Sequence, residues 1–152
     1  MALQPYSIAL DTATQLKDAG LVAATTAGQV GASAAWADLG GGYAEFDVVI
    51  DWTACEADGT EKYDLCIEGA TTNAFSTAYV LGRLILGDSS TTNQPVDTPP
   101  SGRMVIHCNN GALTSASDGN SVTTMRYVRV NARVSGSPAT GLNYTAWLTA
   151  RQ

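Results

Sequence analysis

The chain has 152 residues, enough for one domain with a real core, and its 45% hydrophobic content is ordinary for a globular protein. Charged residues make up only 14%, and the net charge is −6. Eight basic residues are too few for nucleic-acid binding, the five arginines after residue 102 are scattered and make no stripe with interleaved aromatics, and the stretch Leu21–Trp36 is too polar and too short to span a membrane. Residues 1–102 hold 13 acids and 3 bases (Lys17, Lys62, Arg83); residues 103–152 hold Asp118 against five arginines (103, 126, 129, 133 and 151). The two segments either pair within the fold or present a basic patch to an acidic neighbour.

Residues 1–42 are rich in Ala, Thr and Gly and poor in large side chains. They are expected to form an extended N-terminal arm or the first edge strands, ending in the flexible joint Gly40-Gly41-Gly42. Asp11 is placed as the N-cap of a short helical turn through Asp18. Met1 to Pro5 show neither a basic stretch nor an apolar run, so no signal peptide is expected.

Strand patterns begin at Tyr43, and residues 43–152 are expected to form the β-sandwich domain. Ala44, Phe46, Val48, Ile50 and Trp52 alternate with Tyr43, Glu45, Asp47, Val49 and Asp51, giving a strand with one wet face. After a turn at 56–61, Tyr63, Leu65 and Ile67 alternate with Lys62, Asp64, Cys66 and Glu68. Residues 69–76 read as a loop containing Phe75, 79–86 as an apolar strand, and 87–102 as a long Pro-containing loop. Arg103–Cys108 is a strand, and 109–121 a polar loop. Two long alternating runs close the chain. One carries Val128, Val130, Ala132 and Val134; the other carries Tyr144, Ala146 and Leu148. Their short Gly/Ser/Pro connection predicts a hairpin. Six strands, with one or two more in the N-terminal region and no helical period, indicate an all-β fold: an antiparallel jelly-roll-like β-sandwich.

No catalytic arrangement stands out. His107 is the only histidine, and Cys108, its sequence neighbour, points to the opposite strand face. Asp58-Gly59-Thr60-Glu61 and Asp118-Gly119-Asn120 resemble fragments of calcium loops but lack EF-hand spacing, and Asp-Gly is a common turn signal. Asp47 with Asp51, or with Glu45, shares one strand face and reads as a solvated surface, not a glycosidase pair. Asn143-Tyr144-Thr145 matches a glycosylation sequon inside a strand and is taken as chance. Cys55, Cys66 and Cys108 are odd in number and without CxxC spacing, which favours free buried thiols and a reducing compartment. No cofactor or metal is expected. Tyr43, Trp52, Tyr79, Tyr127, Tyr144 and Trp147 are candidates for sugar stacking or for interface anchoring.

The order of several short stretches is similar to that of a known family. They are Leu10-Asp11 with Leu16-Lys17-Asp18, Asp38-Leu39-Gly40, Val48-Val49-Ile50-Asp51, Ile67 to Phe75, Arg126 to Val130, and Val134-Ser135-Gly136. Together they resemble the small jelly-roll cement (decoration) proteins of tailed-bacteriophage capsids, of the type on a Bordetella podovirus. The resemblance implies a structural virion protein without enzymatic activity. It would bind the outside of the expanded head, bridge copies of the phage major capsid protein and resist DNA pressure. It also implies a homo-oligomer, a dimer before a trimer. Capsid contact is expected from residues 3–42, with Leu3, Tyr6, Leu10, Leu16 and Trp36 as anchors, and from loops at one end of the sandwich. Tyr127, Arg129, Arg133 and Trp147 are expected on one self-association or capsid-facing sheet. The rival readings are a carbohydrate-binding jelly roll for host attachment and a tail or baseplate subunit.

Overall fold

The computed structural model describes residues 14–114 and 121–150. Its strands are β1 (Gln15–Lys17), β2 (Leu21–Val22), β3 (Thr26–Ala27), β4 (Gln29–Val30), β5 (Ser33–Ala34), β6 (Ala37–Asp38) and β7 (Glu45–Cys55). Then come β8 (Lys62–Ala70), β9 (Tyr79–Gly87), β10 (Gly102–Asn109), β11 (Gly111–Thr114), β12 (Ser121–Thr124), β13 (Tyr127–Ser135) and β14 (Leu142–Ala150). A single helical turn, α1 (Ser89–Thr92), sits between β9 and β10; Asp88 caps it by accepting from the Ser90 N–H.

Two antiparallel sheets face each other. One runs β1-β14-β7-β10, with β2 also on β14; the other runs β3-β13-β8-β9, with β6 also on β13. Numbering only the eight strands of these two paths in chain order gives 1-8-3-6 over 2-7-4-5, the connectivity of a jelly roll. The closing pair is therefore not a hairpin. β13 pairs with β8 and β14 pairs with β7, so Gly136–Gly141 carries the chain from one sheet to the other. Alternating apolar residues drive both arrangements equally. Only the partner's register, which one strand does not encode, separates them.

The inner faces supply the core: Leu16, Phe46, Val48, Ile50 and Trp52 from the first sheet meet Tyr63, Leu65, Ile67, Val128 and Val130 from the second. Val49 breaks the expected alternation. It lies on the outer face yet is buried, because Trp147 and Val105 flank it on the neighbouring strands.

Two further expectations are corrected. Gln15–Lys17 is not part of a helical turn but pairs with Trp147 and Ala146 of β14. The polar segment after Asn109 is not only loop: β11 and β12 pair in register from Gly111↔Thr124 to Thr114↔Ser121. Asn110 organises this corner. It is fully buried, donates to the carbonyls of Gly42 and Met125, and accepts from the Ala44 N–H.

The first described segment lies along both sheets. β1 and β2 lie on β14, and β3 and β6 on β13. Gly28 makes this crossing close: its N–H donates to the Val130 carbonyl, and a Cβ there would lie 2.2 Å from the Leu16 carbonyl oxygen. Gly28→Ala is expected to lower stability by about 1–3 kcal/mol, as overpacking does. Chemical denaturation reads this directly, and an unchanged midpoint counts against the close crossing.

Candidate interaction surfaces

The outer face of the second sheet is a network of charges. Glu68 on β8, only 2% exposed, accepts from Arg129 Nε (2.9 Å), Arg133 Nη2 (2.8 Å) and Asn131 Nδ2 (3.0 Å), all on β13. Burial pushes its carboxyl pKa up. The hydrogen bonds from Asn131, Arg133 and Arg129 outweigh that push and leave it below the usual range. Beside it, Asp64 pairs with Arg83, and the Cys66 thiol donates to Asp64. Phe75 packs under the Arg129 guanidinium, 4.4 Å from ring centroid to Cζ. Phe75 holds a left-handed φ of 48°, uncommon for a bulky side chain. Tyr127 carries Arg126 over its ring, and Arg126 forks onto Asp38 of β6.

The outer face of the first sheet has a different pattern. Its middle row is apolar, with Trp147, Val49 and Val105 side by side. One flanking row holds Asp51 with Arg103, and the other holds Asp47 with His107 Nδ1 at 2.6 Å.

These placements redistribute the expected anchors. Tyr127, Arg129 and Arg133 lie on one sheet and Trp147 on the other, because β13 and β14 belong to opposite layers; they do not share a surface. Leu16 is fully buried in the protein's own core and is not a contact for a partner. Trp36 is partly exposed beside a shallow cleft lined by Gln15, Val30 and Ala34. Leu3, Tyr6 and Leu10 lie outside the described residues, as do Asp118, Gly119 and Asn120.

At one end of the sandwich, Glu56, Asp58 and Glu61 bring a carboxylate oxygen each within 4.8 Å of one another. Glu56 is already claimed. It accepts from the N–H groups of Ala139, Thr140 and Gly141, which hold its pKa down at about 2. Its role is to tie the 56–61 turn to the β13–β14 connection. Glu61 accepts from Gly59 N–H within the same turn. All three cysteines are free, and burial pushes each thiol up to about 11, away from reactivity at neutral pH. Asn143 of the sequon accepts from the Gly20 N–H at 2.8 Å.

At another place, exposed apolar side chains gather. Leu113 and Val122 stand directly opposite each other on β11 and β12, 71% and 64% exposed. Tyr43, 63% exposed, borders the same hairpin face at Gly111, close to Val122. Val80 of β9, also exposed, shares a shallow depression with Leu113. Sequence reading missed this patch because its residues are scattered among polar ones over 43–122. Only the β11–β12 pairing brings Leu113 and Val122 together.

No protein-family model matches the chain, and no curated protein sequence matches it.

Proposed function

We propose that this protein is a capsid cement protein of a tailed bacteriophage, bound to the outside of the expanded head and bridging neighbouring major capsid proteins. The observation that carries the reading is the patch of Tyr43, Val80, Leu113 and Val122. Contiguous exposed apolar surface on a small domain marks an interaction site. Both broad sheet faces support a wall-like role, since their charges are largely paired within the chain. The low charge content and the jelly-roll frame fit the same reading. Repetition across a shell then turns weak single contacts into strong retention through effective concentration. Binding only the expanded form stabilises that form by mass action.

A carbohydrate-binding module is less well supported. Trp52 and Tyr144 are core residues, while Tyr127 and Trp147 face away from each other on opposite sheets, so these aromatics form no common stacking platform.

The test is co-sedimentation with expanded capsids, unexpanded procapsids and isolated tails of the cognate phage. Saturable binding to expanded shells alone is expected. The double substitution Leu113→Glu with Val122→Glu, on exposed positions, is expected to reduce that binding at least about tenfold while leaving the melting temperature near that of the parent. Binding to tails, or to no particle, removes the cement reading.

A further inference from the structure

Asn110-Gly111 is the only Asn-Gly pair in the chain. Such a pair carries its own chemistry: the backbone nitrogen after an asparagine can attack that asparagine's side-chain carbon, and a glycine leaves the nitrogen unshielded. Packing demands the glycine here, because a Cβ on Gly111 would lie 3.2 Å from both Asn109 Oδ1 and Val122 Cγ1. The fold then holds both reacting groups still. The Gly111 N–H donates to Asn109 Oδ1 at 3.0 Å. The Asn110 amide is fixed by three bonds: Nδ2 donates to the carbonyls of Gly42 (2.7 Å) and Met125 (3.0 Å), and Oδ1 accepts from the Ala44 N–H (2.8 Å). Its main chain is pinned as well, since its N–H donates to the Ala44 carbonyl and its carbonyl accepts from the Met125 N–H. The residue is fully buried, so the water and hydroxide that the reaction needs are kept from it.

We infer that Asn110 is a self-modification site that the folded corner holds closed, and that its deamidation, once the corner opens, is a one-way loss of that corner. In the opened state a solvent base takes the Gly111 amide proton and the nitrogen attacks Asn110 Cγ. The N–Cγ bond forms, the Cγ–Nδ2 bond breaks, and Nδ2 leaves as ammonia with a proton from water. Water then opens the resulting succinimide to aspartate or isoaspartate. Neither product can refill the site. A carboxylate has no proton to donate to the carbonyls of Gly42 and Met125, and it sets negative charge against two carbonyl oxygens at a buried position. Isoaspartate also lengthens the main chain by a methylene, which moves the bonds to Ala44 and Met125 out of register. Residues 42–44 and the β11–β12 hairpin are tied together at Asn110, so the face bearing Tyr43, Leu113 and Val122 loses its support. The reaction needs only this chain and water, whatever that face binds.

Peptide mapping by mass spectrometry tests it, on the full chain held at mildly alkaline pH in heavy-oxygen water, with and without urea. Label taken up at residue 110 marks passage through the succinimide. The rate without urea is expected to be at least about a hundredfold below the rate in urea, since local opening must come first. Asn109→Ala frees the Gly111 N–H and is expected to raise the native rate about three- to tenfold, the net worth of one hydrogen bond, while leaving the rate in urea unchanged. In the modified fraction, amide hydrogen exchange at Gly111–Thr114 and Ser121–Thr124 is expected to lose protection while β7 and β8 keep theirs. Asn110→Asp installs one product directly and is expected to show the same local loss. Equal rates with and without urea, an Asn109→Ala rate no higher than the parent's, or a modified fraction whose β11 and β12 amides stay protected overturns the proposal.

Discussion

Leu16→Ala is expected to lower the stability of the isolated protein by about 3 kcal/mol, within the usual range for a buried leucine cut to alanine. Leu16 is fully buried among the inner-face residues, although it lies in a stretch whose composition reads as an arm. A residue that served only a partner would leave the melting curve of the free chain unmoved. The same logic separates two truncations. Removing residues 2–13 leaves β1 in place. Removing residues 2–20 deletes Gln15–Lys17 and strips one partner from β14. It also takes away Lys17, whose buried ammonium lies 5.4 Å from the centroid of the Tyr144 ring. The longer truncation should therefore be the less stable of the two. Equal melting temperatures for the two would show that β1 contributes nothing to the fold.

Glu68→Ala is expected to cost about 3 kcal/mol, since it leaves the Arg129, Arg133 and Asn131 donors without their shared acceptor at a buried site. Arg133→Ala should cost much less, about 1 kcal/mol or below, because the guanidinium is half exposed and Glu68 keeps Arg129 and Asn131. This ordering is the diagnostic: if both substitutions cost the same, the carboxylate is not the hub. The pH dependence follows with a definite sign. The Glu68 carboxyl has a folded pKa below its unfolded one, so its contribution is fully present above the ordinary glutamate range. It is lost as pH falls through the lowered folded value. Asp64 shifts the same way beside Arg83, and Glu56 does so down to about 2. Stability should stay level with respect to these groups from neutral pH down to about 5 and then fall progressively. In Glu68→Ala that acid-side fall should be shallower.

Much of the sandwich was legible because burial on one sheet face leaves a two-residue period. The inner residues of β7, β8, β13 and β14 follow it closely, from Phe46 to Leu148. Connectivity was less legible. The run from Val134 to Tyr144 looks the same whether it turns back in one sheet or crosses to the other, and that decision placed Trp147 away from Arg129. β1 was missed because a three-residue strand shows no period, and its burial depends on β14, far along the chain. The β11–β12 hairpin was hidden by Asn, Ser and Thr, which favour loops on their own. The Glu68 hub gave one faint signal: arginines two apart from Asn131 on one strand parity, with an acid on an earlier strand. Nothing in sequence says that those strands are neighbours.

The placement of β7 has a consequence for how the protein is made. In the finished sheet it lies between β10 and β14, with Ile50 opposite Met104 on one side and Ala146 on the other. A ribosome adding about 5–20 residues per second takes roughly 5–20 s to travel from Ile50 to Ala146. Throughout that interval Phe46, Val48 and Ile50 lack their second neighbour. The first sheet therefore closes only when β14, the last of its strands to be made, takes its place beside β7.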